Sequence, residues 1–174
     1  MEELIAKAEG GDSVSQCKLA MHYMKDDART KDVERALHWY KLAAQGGNSA
    51  AQYNLADMYM RGEGLPRNHE RALYWFGQAA DQGDLDALYN LGILHLGRGH
   101  GQDRLEADEP LSTRYFLLAA EGGLARAQYE AGVIFLHGRG VACDPEKARY
   151  WFVCALENGV ARAGQQLDEL EGDS

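Results

Sequence analysis

The segment Trp39-Tyr40-Lys41-Leu42-Ala43-Ala44 recurs 36 residues later as Trp75-Phe76-Gly77-Gln78-Ala79-Ala80. Two further copies follow at steps of 40 and 36 residues, Tyr115-Phe116-Leu117-Leu118-Ala119-Ala120 and Trp151-Phe152-Val153-Cys154-Ala155-Leu156. Self-similarity at a fixed period of this length is typical of stacked structural repeats. The longer middle step indicates a four-residue insertion in the third repeat.

Residues at equivalent positions of the repeats, called columns below, keep one phase along the chain. A glycine column ends one segment at Gly47, Gly83, Gly123 and Gly159, and an alanine column opens the next at Ala51, Ala87, Ala127 and Ala163. This phase predicts one domain, 1–174, with four repeats at about 15–50, 51–86, 87–126 and 127–162. We expect the half-repeats at 2–10 and 163–171 to cap the two ends, because stacked repeats need capping surfaces.

Each repeat contains two helical patterns. In the second, Ala36, Trp39, Tyr40 and Ala43 are spaced as one face of an α-helix. Short polar acceptors suited to a helix start form another column, at Asp32, Asn68, Asp108 and Asp144. The glycine column beginning at Gly47 suits the left-handed conformation that ends a helix. The first helix carries leucine, alanine or glycine, and aromatic columns, so the predicted fold class is all-α.

Two repeats carry a longer motif. The second reads Gly62-Glu63-Gly64, Asn68, Arg71-Ala72 and Trp75-Phe76, and the fourth reads Gly138-Arg139-Gly140, Asp144-Pro145-Glu146-Lys147-Ala148 and Trp151-Phe152. With these motifs nearly the whole chain resembles the Sel-one-like repeat family, a branch of the tetratricopeptide-like helical solenoids. The first repeat departs from the pattern at Asp26 and Ala28, where turn glycines are expected, and the third departs at Ser112 and Tyr115.

The resemblance implies a right-handed α-α superhelix, or solenoid, of about four helix-turn-helix repeats with half-repeat caps at both ends. Members of the family serve as adaptors, and they share no catalytic residue. The resemblance therefore also implies a scaffold for other proteins. We therefore predict a non-catalytic scaffold that binds another protein or peptide through the concave face of the solenoid. The alternative is a structural or self-assembling, homo-oligomeric repeat protein.

In such superhelices the first helix of each repeat lines the concave face. Three tyrosines in one column, Tyr53, Tyr89 and Tyr129, would offer large and stiff contact area to a peptide. The predicted partner-binding residues are Tyr53, Asp57, Met60, Arg61, Tyr89, Ile93, Tyr129 and Val133. The same side chains are equally suited to packing against neighbouring helices, and the sequence leaves both interpretations open.

Charge and composition narrow the class of partner. A net charge of −9 and a pI near 5.1 argue against binding a phosphate backbone, so we expect no nucleic-acid partner. No apolar run is long enough to span a bilayer, which predicts no membrane insertion. The acidic start Met1-Glu2-Glu3 is unlike a secretory signal, and three cysteines without a CxxC motif suit reduced thiols, so we expect a cytoplasmic location. The expected oligomeric state is a monomer or a weak homodimer.

Candidate chemistry is sparse. His95, His100 and Asp103 are metal ligands in type, yet their spacing matches no zinc motif, so we expect no metal and no cofactor. Cys143 precedes a helix start that favours a reactive thiolate, although a bystander thiol is the favoured interpretation. The long loop from Gly97 to Glu109 suits recognition, but insertions in loops are also cheaply tolerated.

Overall fold

The computed structural model describes residues 1–25, 32–97 and 106–172. Within these ranges the chain forms α-helices and no strand, which confirms the predicted all-α class. The helices are α1 (Glu2–Glu9), α2 (Ser13–Tyr23), α3 (Val33–Gln45), α4 (Ser49–Arg61), α5 (His69–Ala80), α6 (Leu85–His95), α7 (Glu109–Glu121), α8 (Ala125–His137), α9 (Pro145–Glu157) and α10 (Arg162–Gly172). Asp26, Ala28, His100 and Asp103 lie outside the described residues.

The helices group into two compact units, Met1–Asp84 with α1 to α5 and Leu85–Ser174 with α6 to α10. We call them the N-terminal and C-terminal units. Within each unit, consecutive helices pack against one another. No helix in the described ranges combines the length and the apolarity needed to cross a lipid bilayer.

The predicted helix starts are confirmed. The side chains of Asp32, Asn68, Asp108 and Asp144 each accept a hydrogen bond from the backbone N–H three residues later, at 2.9 to 3.1 Å. Such bonds satisfy donors that a helix cannot satisfy itself. The backbone N–H of Lys147 holds the pKa of the Asp144 carboxyl below its ordinary value. Asp12 and Asn48 cap α2 and α4 in the same way, so in the first two repeats both helices begin with such a bond.

Small residues on the first helix let an aromatic ring of the second helix approach the backbone. A Cβ atom added to Gly132 would lie 2.5 Å from the Phe152 ring, and one added to Gly92 would lie 2.9 Å from Phe116. Phe152 is fully buried, as are the alanines that surround it. Ser112, a departure from the alanine of its column, is buried and donates a hydrogen bond of 2.7 Å to the Gly92 carbonyl. Serine in place of alanine at position 112 therefore adds a hydrogen bond to the first helix at Gly92, where that helix carries no side chain.

The Gly-x-Gly turns join the two helices of one repeat and contact the neighbouring repeat. Gly140 has a φ of +66° and lies so close to α7 that an added Cβ would be 2.8 Å from Thr113 Oγ1. The Thr113 hydroxyl donates to the Arg139 carbonyl at 2.9 Å. Gly64 lies against Val33 of α3 in the same manner. The turn of one repeat therefore packs on the second helix of the repeat before it, which explains why glycine recurs there.

A buried glutamine ties the first helix of a repeat to the end of the preceding helix. The side-chain amides of Gln16 and Gln52 donate to the carbonyls of Ala8 and Ala44, at 3.0 and 3.2 Å. Gln52 in turn accepts a bond of 2.7 Å from Gln82. Carbonyls at a helix C-terminus have no partner within the helix, so these bonds satisfy groups that are costly to bury unpaired.

The aromatic column at the end of the first helix is modified in the third repeat. The guanidinium of Arg71 lies over the Tyr59 ring, 5.4 Å from its centroid, and Lys147 lies over Phe135. In the third repeat His95 instead stacks on Tyr115, with ring centroids 5.6 Å apart. Burial lowers the pKa of His95, and the Asp108 carboxylate opposes that shift. The neutral imidazole is therefore the form that suits the folded protein.

The contact between Gly132 and the Phe152 ring predicts that replacing glycine by alanine has opposite effects on stability at positions 77 and 132. Gly77→Ala places its Cβ in open space within α5, so we expect stabilisation of up to about 1 kcal/mol from helix propensity. Gly132→Ala places its Cβ against Phe152, so we expect a net destabilisation of about 1–2 kcal/mol from overpacking. Thermal denaturation followed by circular dichroism measures both. Two shifts of the same sign would contradict the contact.

The stacked His95 predicts a pH dependence. Because its folded pKa is lowered, the unfolded chain takes up a proton first as the pH falls below about 6.5, and the folded state loses stability. His95→Phe, which matches Phe135 in the same column, removes this term. The difference in melting temperature, variant minus wild type, should therefore increase as the pH is lowered from about 7.5 to about 5.5. A constant difference over that range would count against a neutral stacked imidazole.

Candidate functional site

The predicted partner-binding residues lie on the first helices of the repeats, as expected, but in two compact units. Tyr53, Asp57, Met60 and Arg61 lie on α4 in the N-terminal unit, and Tyr89, Ile93, Tyr129 and Val133 lie on α6 and α8 in the C-terminal unit. Arg61 is exposed and the other seven are half-buried. We call these residues the first-helix face, and we describe it separately in each unit.

Each tyrosine of the first-helix face packs on the phenylalanine of the second helix of its own repeat. The ring centroids are 5.5 Å apart for Tyr53 and Phe76, 5.3 Å for Tyr89 and Phe116, and 5.5 Å for Tyr129 and Phe152. The pairs are edge-on or tilted, which is the favoured arrangement of aromatic rings. The tyrosines therefore contribute to packing and still leave part of their surface to solvent, and their role in partner binding stays a prediction.

Two arginines that the sequence analysis did not select lie over tyrosines of the first-helix face in the C-terminal unit. The guanidinium of Arg126 lies 4.2 Å from the Tyr89 ring centroid, and that of Arg162 lies 3.9 Å from Tyr129. Each arginine lies two helices after the tyrosine it contacts: Arg126 is on α8 and Tyr89 on α6, and Arg162 is on α10 and Tyr129 on α8. Tyr89 and Tyr129 are thus each in contact with both a phenylalanine ring and a guanidinium group.

Acidic side chains hold these arginines in place. Arg126 forms an ion pair with Asp86 on α6, and Arg162 lies 3.8 Å from a carboxylate oxygen of Glu130 on α8. The Nε atom of Arg126 is buried and has no hydrogen-bond partner within the described ranges. A guanidinium that is partly desolvated interacts more strongly with an aromatic face than one in water. The signal in the sequence was a shared column, Arg126 and Arg162, three residues after the helix-ending glycines Gly123 and Gly159.

The N-terminal unit presents a different surface. Arg61 Nε lies 2.9 Å from Asp57 Oδ1, so the two polar residues predicted to mark the face neutralise each other. Met60 is half-buried beside them. Cys17, which occupies the tyrosine column in the first repeat, is 4% exposed, and burial raises the pKa of its thiol. The first repeat therefore buries a small apolar group where the later repeats present a tyrosine.

The aliphatic residues of the face are closer to the core. Val133 packs, with Tyr129, against the buried cluster of Ala148, Phe152, Ala155 and Ala163. Leu167 and Leu170 of α10 contact the same cluster. Ile93 is half-buried on α6. The tyrosines and the aliphatic residues of the face are thus alike half-buried, and Arg61 is its exposed member.

The other candidates have local roles. His95 is engaged by Tyr115, and Cys143 is exposed with its thiol donating to the Leu136 carbonyl at 3.1 Å. The half-buried Cys154 thiol interacts with the hydroxyl of Tyr150 and raises the pKa of that phenol. Residues 98–105 of the long loop, with His100 and Asp103, are outside the described ranges. Elsewhere in the described chain, no three potential metal ligands lie together.

Two curated relatives match a segment of the chain. One is chitin synthase regulatory factor 3 of Schizosaccharomyces pombe, 43% identical over 51 residues, and the other is chitin synthase regulator SKT5 of Malassezia restricta, 41% identical over 54 residues. The matches cover 29% and 31% of this chain. They span only 6% and 4% of the length of those relatives.

Solved structures match nearly the whole chain. A protective antigen of uropathogenic Escherichia coli with an SLR fold superposes with a TM-score of 0.88 and 34% identity, over 95% of this chain and 35% of that one. A Sel1 repeat protein from Oxalobacter formigenes gives a TM-score of 0.83 and 28% identity, over 94% of this chain and 65% of that one. An immunity protein of Pseudomonas aeruginosa, at 21% identity, a TM-score of 0.58 and coverage of 89% and 55%, shares the fold.

The family profile of the Sel1 repeat matches four consecutive segments, residues 13–48, 49–84, 85–124 and 125–160. The third segment is four residues longer than the others, in agreement with the insertion predicted there. The segments cover most of the chain, and the structural neighbours carry the same repeat in their descriptions. This chain therefore belongs to the Sel1 repeat family, and its fold is the helical-repeat solenoid fold of that family.

Proposed function

We propose that the chain is a non-catalytic scaffold that binds another protein or peptide through its first-helix face. The observation that carries the proposal is the contact of Tyr89 and Tyr129 with a phenylalanine ring and an arginine guanidinium, with part of each tyrosine left to solvent. Tyrosine offers a large apolar area and a polar tip, which is why it is enriched in protein interfaces.

The packing lowers the cost of binding. Ordering a mobile side chain at an interface costs about 0.5–1.5 kcal/mol, and a partner that contacts an already ordered ring avoids most of that cost. Tyr89 and Tyr129 are ordered by contacts within the C-terminal unit. This unit therefore supports the proposal most strongly, and Asp57, Met60 and Arg61 on α4 are secondary contributors.

The comparisons agree with a binding role without naming the partner. Both curated relatives are described as regulators of chitin synthase. The matched segment is a small part of each, so chitin synthase itself is not proposed as the partner. All three cysteines are free thiols, which supports the proposed location in a reducing compartment such as the cytoplasm.

The test is a selection of peptides followed by substitution. Peptides enriched on the immobilised chain from a phage-displayed random library are labelled, and their affinity is measured by fluorescence anisotropy. Tyr89→Ala together with Tyr129→Ala should weaken binding at least about tenfold, because central aromatic anchors carry most interface energy. The matched control is Tyr74→Ala with Tyr150→Ala, since those tyrosines lie on second helices and are 59% and 61% exposed.

A second pair of variants separates binding from packing. Tyr89→Phe with Tyr129→Phe keeps the rings that contact Phe116, Phe152 and the arginines. Their melting temperature should stay close to that of the wild type, while the alanine pair should melt lower. Equal peptide affinity of the wild type and the Tyr89→Ala/Tyr129→Ala variant would overturn the assignment of the face. An equal loss of affinity in that variant and in the control variant Tyr74→Ala/Tyr150→Ala would also overturn it.

A further inference from the structure

One side of α7 carries a stripe of four residues, Arg114, Leu117, Leu118 and Glu121. They are spaced so that they lie on one face of the helix. Arg114 and Glu121 are exposed, Leu118 is 40% exposed, and Leu117 is half-buried against a cluster of buried alanines. We call these four residues the α7 stripe. None of them belongs to the first-helix face.

The α7 stripe forms one wall of a groove of about 280 Å³. The opposite side consists of Gly140 and Val141, with Pro110 and Thr113 between them and the stripe. The close contact of Gly140 with Thr113 sets the width of this groove. Its lining is mostly apolar, and the only charged side chains of that lining are Arg114 and Glu121.

The charges of the stripe are arranged in a self-complementary order. Along α7 the stripe reads positive, leucine, leucine, negative, and its two charged residues are seven positions, or about 10 Å, apart. Neither charge forms an ion pair with another residue of the described chain. When such a helix meets a copy of itself in antiparallel orientation, each arginine faces a glutamate and the leucines face each other.

The other second helices lack this order. The equivalent positions are His38, Lys41, Leu42 and Gln45 in α3, Tyr74, Gly77 and Gln78 in α5 with Asp81 at its C-cap, and Tyr150, Val153, Cys154 and Glu157 in α9. None of these sets has opposite charges at its two ends with leucines between them. The stripe is therefore a property of the third repeat and not of the repeat pattern.

We propose that the α7 stripe binds the α7 stripe of a second copy of this chain about a two-fold axis. Arg114 of each copy pairs with Glu121 of the partner subunit, and Leu118 of each copy enters the groove of the other beside Val141. Such an interface is isologous, because the same patch serves both copies and the association closes at a dimer.

The dimer is expected to be weak and to leave the first-helix face open. A contact between single helices with four principal residues on each side is smaller than the standard interface of about 1,600 Å². The stripe lies on a second helix, whereas the tyrosines of the proposed binding surface lie on first helices. The proposal does not depend on the proposed function. Together the two would give a scaffold with two copies of its binding surface.

Sedimentation velocity over a concentration series tests the dimer with charge reversals. Arg114→Glu and Glu121→Arg should each abolish dimerisation, since each places like charges opposite one another across the two-fold axis. The double variant Arg114→Glu/Glu121→Arg should dimerise again. An equimolar mixture of the two single variants should form a heterodimer, because every charge then faces its opposite.

Controls and contrary results are distinct. Glu157→Arg changes the same column in α9 and should leave dimerisation intact, and circular dichroism of every variant should match the wild type. Leu118→Asp should leave a folded monomer. A wild type that stays monomeric up to millimolar concentration would overturn the proposal. Failure of both the double variant and the mixture to recover the dimer would also overturn it. A groove that binds selected apolar peptides while the chain stays monomeric would assign the stripe to a different partner.

Discussion

The close approach of a helix backbone to an aromatic ring is the constraint on which the rest of the C-terminal unit depends. At Gly92 and Gly132 the first helix carries no side chain, and Phe116 and Phe152 lie against its backbone. This contact sets the distance between the two helices of a repeat. The same phenylalanine rings contact Tyr89 and Tyr129. The tyrosines are therefore ordered by the same contact that packs the core.

Contacts between repeats use polar groups as well as apolar ones. The buried glutamines bond to the carbonyls at the end of the preceding helix, and Thr113 bonds to the turn of the following repeat. Arg126 and Arg162 reach back to the tyrosine of the previous first helix and pair with its acidic neighbours. Because these groups would be costly to bury unsatisfied, they favour one register between repeats. The same polar contacts give the first-helix face its defined shape.

The third repeat is where the pattern is varied most. Its first helix ends in His95 in place of tyrosine or phenylalanine, Leu111 replaces the cation of the column, and Tyr115 replaces tryptophan. These changes are mutually consistent. In the second and fourth repeats a cation covers the aromatic ring of this column, whereas in the third repeat the Tyr115 ring covers the neutral imidazole of His95. The same repeat carries the α7 stripe. In a repeat protein, such deviations are where a binding surface specific to one chain can arise without altering the stacking.

The sequence by itself determined the repeat, the helix starts and the helix-ending glycines, since each depends on residues close together in the chain. It also determined that Tyr53, Tyr89 and Tyr129 share a column. Only the tertiary structure decided what surrounds them. The contact of Arg126 with Tyr89 joins residues 37 positions apart, and the bond from Ser112 to Gly92 joins helices of one repeat. Both depend on the distance between packed helices, which a column of residue types does not specify. The groove beside α7 arises in the same way, because its two walls come from different repeats and meet only when Gly140 packs against Thr113.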